Sequence, residues 1–229
     1  MKIAIVPARG GSKRIPRKNI IDFHGEPMLV KTIKSLSESG LFDKIHVSTD
    51  SEEVFEVAAN AGFRPEFLRE NSLADDFTPV FEVVNWVVKK FEESQPISEI
   101  ALVMPCSPLI NCGDYKKAYL DWESSGRRYP LMSVSKYPCP VEWSFSPEGD
   151  GSIVADNPKA LSTRSQDLKE RFFDTGNFYF LNRKQLNDLN EATFTRYIPF
   201  VLPWYKAVDI DDQDGLEFAK KLYKINQIQ

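Results

Sequence analysis

Apolar residues recur with two different periods along the first 137 residues, and the alternation between the two periods is the main structural signal. Residues 2–8 form a short apolar run rich in Ile and Val, which predicts a buried parallel strand. Leu29, Ile33 and Leu36 then follow helical spacing, and Gly40 stands where a glycine ends a helix. Residues 44–50 predict a second strand. Val54, Val57, Ala58 and Ala61 predict a second helix ended by Gly62. A short strand is expected over 65–68. Val80, Val84, Val87, Val88 and Phe91 mark a third helix, and strands follow over 99–105 and 131–137. This βαβαβ rhythm predicts a mostly parallel sheet with helices on both faces and right-handed crossovers.

The rhythm breaks after Lys136. Pro138, Pro140, Pro147, Gly149 and Gly151 mark turns, and residues 141–145 and 152–155 suit the strands of a hairpin. Residues 172–181 predict a strand interrupted at Thr175-Gly176, and 197–202 a further strand. Leu216, Ala219, Leu222 and Tyr223 predict a closing amphipathic helix. The layout is one α/β domain over residues 1–229 with a small β-rich excursion over 138–175.

Composition narrows the function. The 229 residues are 42% hydrophobic and 27% charged, and no run approaches the roughly 20 apolar residues of a membrane span. The apolar N-terminal run is too short for a signal peptide and leads into Arg9. A net charge of −4 argues against a dedicated nucleic-acid binder. Cys106, Cys112 and Cys139 make an odd count without metal-ligand spacing, which points to a reducing cytoplasm. With only His24 and His46, a histidine metal site or a Ser-His-Asp triad is a poor fit.

Two segments carry candidate chemistry. The loop after the first strand holds Arg9, Lys13, Arg14, Arg17 and Lys18 around Gly10 and Gly11. It falls at the carboxyl end of a strand, where open α/β sheets bind ligands. Glycine amides and cations there suit a polyphosphate. The spacing is neither that of a Walker loop nor of the dinucleotide fingerprint, and a solvated basic loop is the competing reading. In Asp209-Ile210-Asp211, an extended backbone puts both carboxylates on one side, where they can hold Mg²⁺. The competing reading has Asp211 or Asp212 cap the last helix. Asp50 and Glu53 match a capping box. Arg69, near Asp75-Asp76, suits a surface ion pair or a ligand contact.

The run Ala8-Arg9-Gly10-Gly11-Ser12-Lys13-Arg14-Ile15-Pro16-Arg17-Lys18-Asn19 resembles the nucleotide-binding motif of the cytidylyltransferases that activate acidic nonulosonic sugars. The likeness continues through Val47-Ser48-Thr49-Asp50, Leu68-Arg69, Leu73-Ala74-Asp75-Asp76, Pro105-Cys106-Ser107-Pro108-Leu109 and Asp209-Ile210-Asp211, in the family order. Arg164-Ser165-Gln166-Asp167-Leu168 and Phe173-Asp174-Thr175-Gly176-Asn177-Phe178-Tyr179 are most similar to the pseudaminic acid branch. Met104 stands where the sialic acid enzymes tend to carry a glutamine, which also points away from sialic acid.

The resemblance implies a Rossmann-like fold of the nucleotide-diphospho-sugar transferase type, with the 138–175 insert reaching across a homodimer. It implies transfer of CMP from CTP to the anomeric hydroxyl of a nine-carbon acid, with Mg²⁺ as cofactor and neither nucleic acid nor membrane as partner. Arg9, Gly11, Ser12, Lys18, Asn19 and Arg69 would bind CTP, and Arg164 and Gln166 the sugar. Asp209 and Asp211 would hold the metal, with Arg9, Lys18 and Asp211 at the chemistry. Sialic, legionaminic and 3-deoxy-octulosonic acids remain as sister substrates. A non-catalytic nucleotide-binding protein on the same fold remains as a different class.

Overall fold

The computed structural model describes residues 1–190 and 195–226. Its centre is a six-stranded sheet in the order β2-β1-β3-β7-β4-β8. The strands are β1 (Lys2–Pro7), β2 (Lys44–Ser48), β3 (Glu99–Val103), β4 (Leu131–Lys136), β7 (Phe172–Asn182) and β8 (Ile198–Val201). β1 pairs in parallel with β2 and β3, and β4 with β8, while β7 runs antiparallel between β3 and β4. The mostly parallel sheet is thus as expected, with one reversed strand in its middle.

The period-2 pattern of a strand decides which layer each side chain joins. Ala4, Val6, Ala101 and Val103 face one layer, where they meet Leu29 and Ile33 of α1 (Met28–Glu38), Ala58 of α2 (Glu52–Asn60) and Trp122 of α4 (Cys112–Ser124). Their neighbours Ile3, Ile5, Ile100 and Leu102 face the other, against Val84, Val87, Val88 and Phe91 of α3 (Val80–Glu92) and Leu186 of α5 (Arg183–Asn190). A third cluster lies at the loop end of the sheet. There Leu216, Ala219 and Leu222 of α6 (Gln213–Asn226) pack on Ile15, Phe23 and Ile210. This cluster ties the loop after β1 to the Asp209–Asp211 segment.

Several local expectations change. The periodicity assigns no helix between β3 and β4, yet α4 stands there, with Tyr115, Ala118, Tyr119 and Trp122 buried along one side and a capping box between Asn111 and Asp114. Residues 65–68 form no strand, because Arg69 rather than a strand pairs with the end of β2, its amide donating to the Thr49 carbonyl at 2.7 Å. The cap of α2 is Ser51, whose Oγ accepts from the Val54 amide, and not Asp50. The expected interruption at Thr175-Gly176 is a bulge inside one continuous β7. The register against β4 shifts there, and Gly176 takes φ +63°. The excursion between β4 and β7 holds the two-stranded hairpin β5 (Phe145–Pro147) and β6 (Ile153–Ala155), while Val141–Trp143 is a 3₁₀ turn rather than a strand.

One buried polar group stands out. His46 on β2 is 1% exposed, both ring nitrogens lack a hydrogen-bond partner among the described residues, and the ring packs on Phe67 and Phe91. Burial, reinforced by Lys44 and Arg69, pushes its pKa down to about 3. The unfolded chain takes up this proton near the ordinary histidine value while the native state refuses it. Stability is therefore complete above about 6.5 and falls as pH drops toward 3, by about 1.4 kcal/mol per pH unit over that window. Urea melts between pH 7 and 5 should show this slope in the wild type and a shallower one in His46→Leu.

Candidate active site

The carboxyl ends of β1 and β3 open into a cavity of about 890 Å³. Three segments wall it. The loop after β1 supplies Arg9, Gly11, Ser12, Lys13, Arg14, Lys18 and Asn19; Met104 to Cys106 follow β3; and Asp209 and Asp211 precede α6. The β7 bulge at Asp174–Asn177 closes a further side, held down by a hydrogen bond from the Met104 amide to the Asn177 carbonyl (2.8 Å).

The loop backbone is placed by contacts that the sequence hints at only indirectly. The Gly10 amide donates to Asp50 Oδ1 at 3.0 Å, so Asp50 serves the loop rather than a helix cap. A Cβ at Gly10 would lie 2.7 Å from the Cβ of Ser51, whereas one at Gly11 would meet nothing within 4 Å. Arg17 takes φ +58° and pairs with Glu53. Asn19 is buried and its amide is used at both ends: Nδ2 donates to the Arg9 carbonyl (2.9 Å), and Cys106 Sγ donates to Oδ1 (3.3 Å). Burial pushes the Cys106 pKa up to about 12, so it remains a thiol donor.

Each loop cation that lines the cavity has a carboxylate opposite. Lys18 Nζ lies 3.0 Å and Arg14 Nη2 2.6 Å from Asp211. Arg9 Nη1 lies 2.7 Å from Asp76, which Lys13 also contacts. Burial works to raise the Asp211 pKa, but the hydrogen bond and charge of Lys18, with those of Arg14, outweigh it and hold the carboxyl below its ordinary value. Asp209 goes the other way: burial raises it, and the adjacent Asp211 charge adds to the effect. The helix cap is Asp212, whose Oδ1 accepts from the Gly215 amide (2.8 Å), so Asp211 is left facing the cations. Gly215 itself leaves room for the Asp209 carbonyl, 2.7 Å from where its Cβ would be.

The remaining expected residues lie elsewhere. Arg69 does not line this cavity. It is 6% exposed and its guanidinium donates to the Ser48 hydroxyl (3.1 Å), the Ser48 carbonyl and the Leu73 carbonyl, bracing the end of β2. Burial pushes its pKa down to about 10, against the pull of Asp50. It is thus neither the exposed ion pair nor a cavity contact within this chain. Arg164 is exposed and paired with Asp167, while Gln166 lines a separate cavity of about 380 Å³ beside Lys136 and Arg171. A single chain does not bring these two to the loop cations. Asp76, Cys106 and Asp174 line the main cavity without having been assigned to it. Asp75-Asp76 was legible as a charged pair, but its partner across about 65 residues was not.

A cavity at the carboxyl ends of parallel strands, walled by a glycine- and cation-rich loop and a carboxylate pair, suits the phosphates of a nucleotide. The fold agrees with it. CMP:2-keto-3-deoxy-manno-octonic acid synthetase, solved with CTP, aligns over 99% of this chain and 100% of its own with a TM-score of 0.69 at 14% identity. The 4-diphosphocytidyl-2C-methyl-D-erythritol synthase of Anaerococcus prevotii aligns with a TM-score of 0.61 at 13% identity, covering 97% of each. This chain therefore has the fold that these two proteins share. The cytidylyltransferase model matches residues 3–228, and this chain belongs to that family. The pseudaminic acid cytidylyltransferase of Campylobacter jejuni (strain 81-176) is 35% identical over 98% of this chain and 97% of its own. CMP-N,N'-diacetyllegionaminic acid synthase of Legionella pneumophila is 27% identical over 98% and 97%.

The glycine geometry gives a sharp contrast. Gly10→Ala should destabilise the fold by about 1–3 kcal/mol, because the added methyl runs into the Cβ of Ser51. Gly11→Ala should melt as the wild type does. Thermal denaturation of the two variants side by side checks both.

Proposed function

We propose that this enzyme transfers the cytidylyl group of CTP to the anomeric hydroxyl of pseudaminic acid and releases pyrophosphate. The observation that supports the reaction is that Arg9, Lys18, Asp209 and Asp211 line one cavity, with Lys18 Nζ 3.0 Å from Asp211. The sugar assignment rests on the relatives named pseudaminic acid cytidylyltransferase and on the 164–168 and 173–179 stretches.

The anomeric oxygen bonds to the α-phosphorus as the bond to the β-phosphate oxygen breaks, pyrophosphate leaves, and the proton of the sugar hydroxyl passes to water. Arg9, Lys18 and the amides near Gly11 and Ser12 offset the triphosphate charge and the charge of the leaving group. Asn19, oriented by Cys106 and the Arg9 carbonyl, lies at the cytidine end in this reading. Of the two carboxylates, Asp209 is the more basic, since Lys18 and Arg14 keep Asp211 ionised.

The donor set fits Mg²⁺. The two carboxylates offer hard oxygens close enough to interact directly, and Lys18 and Arg14 already compensate one of them. Among the described residues no third His, Cys, Asp or Glu completes a cluster, so water and phosphate oxygens would fill the other positions. The cavity wall carries four cations, Arg9, Lys13, Arg14 and Lys18, against four carboxylates, Asp76, Asp174, Asp209 and Asp211. A triphosphate therefore needs positive charge beyond what the wall provides. Mg²⁺ held by Asp209 and Asp211 would supply it, with Lewis-acid chemistry toward the phosphates.

The insert supports a homodimer. Its hairpin leaves Phe145, Ile153 and Val154 exposed, and neither Arg164 nor Gln166 lines the main cavity of its own chain. Docking on a second copy would cover the first set and carry the second toward the partner's sugar. Among the described residues no helix is long and apolar enough to cross a membrane, and we assign the enzyme to the cytoplasm, where CTP is made.

Pyrophosphate should be released from CTP with pseudaminic acid. Turnover of sialic, legionaminic or 3-deoxy-octulosonic acid in its place would replace the sugar assignment, and CTP binding without turnover of any of them would favour a non-catalytic protein. Lys18→Ala should lower the rate on the order of 10²–10³-fold. Lys44→Ala, which removes only a pair with Glu66, should leave it nearly unchanged. Because Asp212 is the cap, Asp209→Asn and Asp211→Asn should each raise the Mg²⁺ needed for half-maximal rate without lowering the melting temperature. Rate against Mg²⁺ concentration decides between ligand and bystander.

A further inference from the structure

The segment Asp75–Thr78 is far from the loop in sequence yet is tied to it by three contacts. Arg9 Nη1 donates both to the Asp75 carbonyl (2.8 Å) and to Asp76 Oδ1 (2.7 Å). The other oxygen of Asp76 holds Lys13. The segment is itself locked, since Asp75 Oδ1 accepts from the Phe77 amide (2.9 Å) and the Thr78 amide (2.6 Å). The Thr78 hydroxyl first, and then these two amides, hold the Asp75 carboxyl below its ordinary value, so the lock persists through the neutral range.

What this does to Arg9 follows from guanidinium geometry. One amino group is spent on the clamp. The Nε–Nη2 edge has no partner among the described residues, and Arg9 lines the cavity. That edge is the two-donor fork that meets a phosphate side-on. Asp76 also spaces two like charges, Arg9 and Lys13, one on each of its oxygens. A lone ion pair this exposed adds little to stability, because water screens it. The network's effect is therefore expected in the placement of cations rather than in the stability of the fold.

We propose that Asp76 is a positioning residue for triphosphate binding: it clamps Arg9 and Lys13 to the Asp75–Thr78 turn so that the open edge of Arg9 is presented to the phosphates. The inference rests on the cytidylyltransferase reading of the cavity. It adds Asp76 as the residue that sets the geometry of the loop's first cation.

Asp76→Asn and Asp76→Glu, made in the full chain, test it through two readouts. The first needs no nucleotide: tryptic cleavage after Arg9, Lys13 and Arg14 should speed up several-fold in Asp76→Asn and recover in Asp76→Glu, with unchanged melting temperatures. The second is calorimetry with CTP and with CMP. CTP should bind on the order of tenfold more weakly to Asp76→Asn while CMP binds as before, since the clamped cations address the outer phosphates. A merely structural role would move both nucleotides together, and that result overturns the proposal. Unchanged cleavage removes the clamp. Faster cleavage with equal or tighter CTP binding removes the phosphate role and makes Asp76 a competitor for the cations. If Asp76→Asn is cleaved faster but the wild type binds no CTP, the clamp stands and the cytidylyltransferase reading of the cavity is what fails.

Discussion

Everything at this site depends on compensating a concentration of positive charge in one short loop. Five cations within ten residues repel one another, and such a segment holds a defined shape only where opposite charge meets it. The fold delivers that charge from three directions. Asp76 meets Arg9 and Lys13, Asp211 meets Arg14 and Lys18, and Glu53 meets Arg17. Every one of the five cations is paired, yet three carboxylates share them, so the loop is an ionic network that keeps an excess of positive charge. In the proposed reaction a polyphosphate would exchange partners with this network.

The rest of the architecture brings those carboxylates within reach. β1 and β3 end side by side and set the loop beside Met104–Cys106. β7 runs longer than β3, so its bulged half projects past the ends of the parallel strands and walls the cavity. α6 packs by Leu216, Ala219 and Leu222 against Ile15 and Phe23, and this apolar contact carries Asp209 and Asp211 to the loop. A cluster with no chemistry of its own thereby fixes the separation between the cations and the carboxylate pair. Arg69 plays a comparable part at the end of β2, bracing Ser48 next to Asp50, which in turn holds the Gly10 amide.

The two halves of the chain differ in purpose. Residues up to β4 build a conventional layered sheet, and the 138–171 stretch leaves that sheet to form a small hairpin with exposed apolar residues. Such a surface is costly to leave in water, and the homodimer proposed above would cover it.

The sequence alone specified the regular parts. Alternation of Ile3, Ala4, Ile5 and Val6 requires a strand buried on both faces, and Val84, Val87, Val88 and Phe91 require a helix on one of them, because side-chain periodicity is a property of local backbone geometry. The loop after β1 and the Asp209–Asp211 pair were legible for the same reason: their residue types and spacing are local. α4 was also written in its capping box and its Tyr115-to-Trp122 face, but its short polar intervals masked the period. Only the tertiary structure decided which carboxylate serves which cation, that Asp212 and not Asp211 caps α6, that Ser51 and not Asp50 caps α2, and that Arg69 is buried as a brace. The two caps reach only three residues along the chain. What draws Asp211 and Asp50 away from capping is distant in sequence, Lys18 and Arg14 for the one and the Gly10 amide for the other. A local signature cannot tell an Asp that caps a helix from one that faces a site.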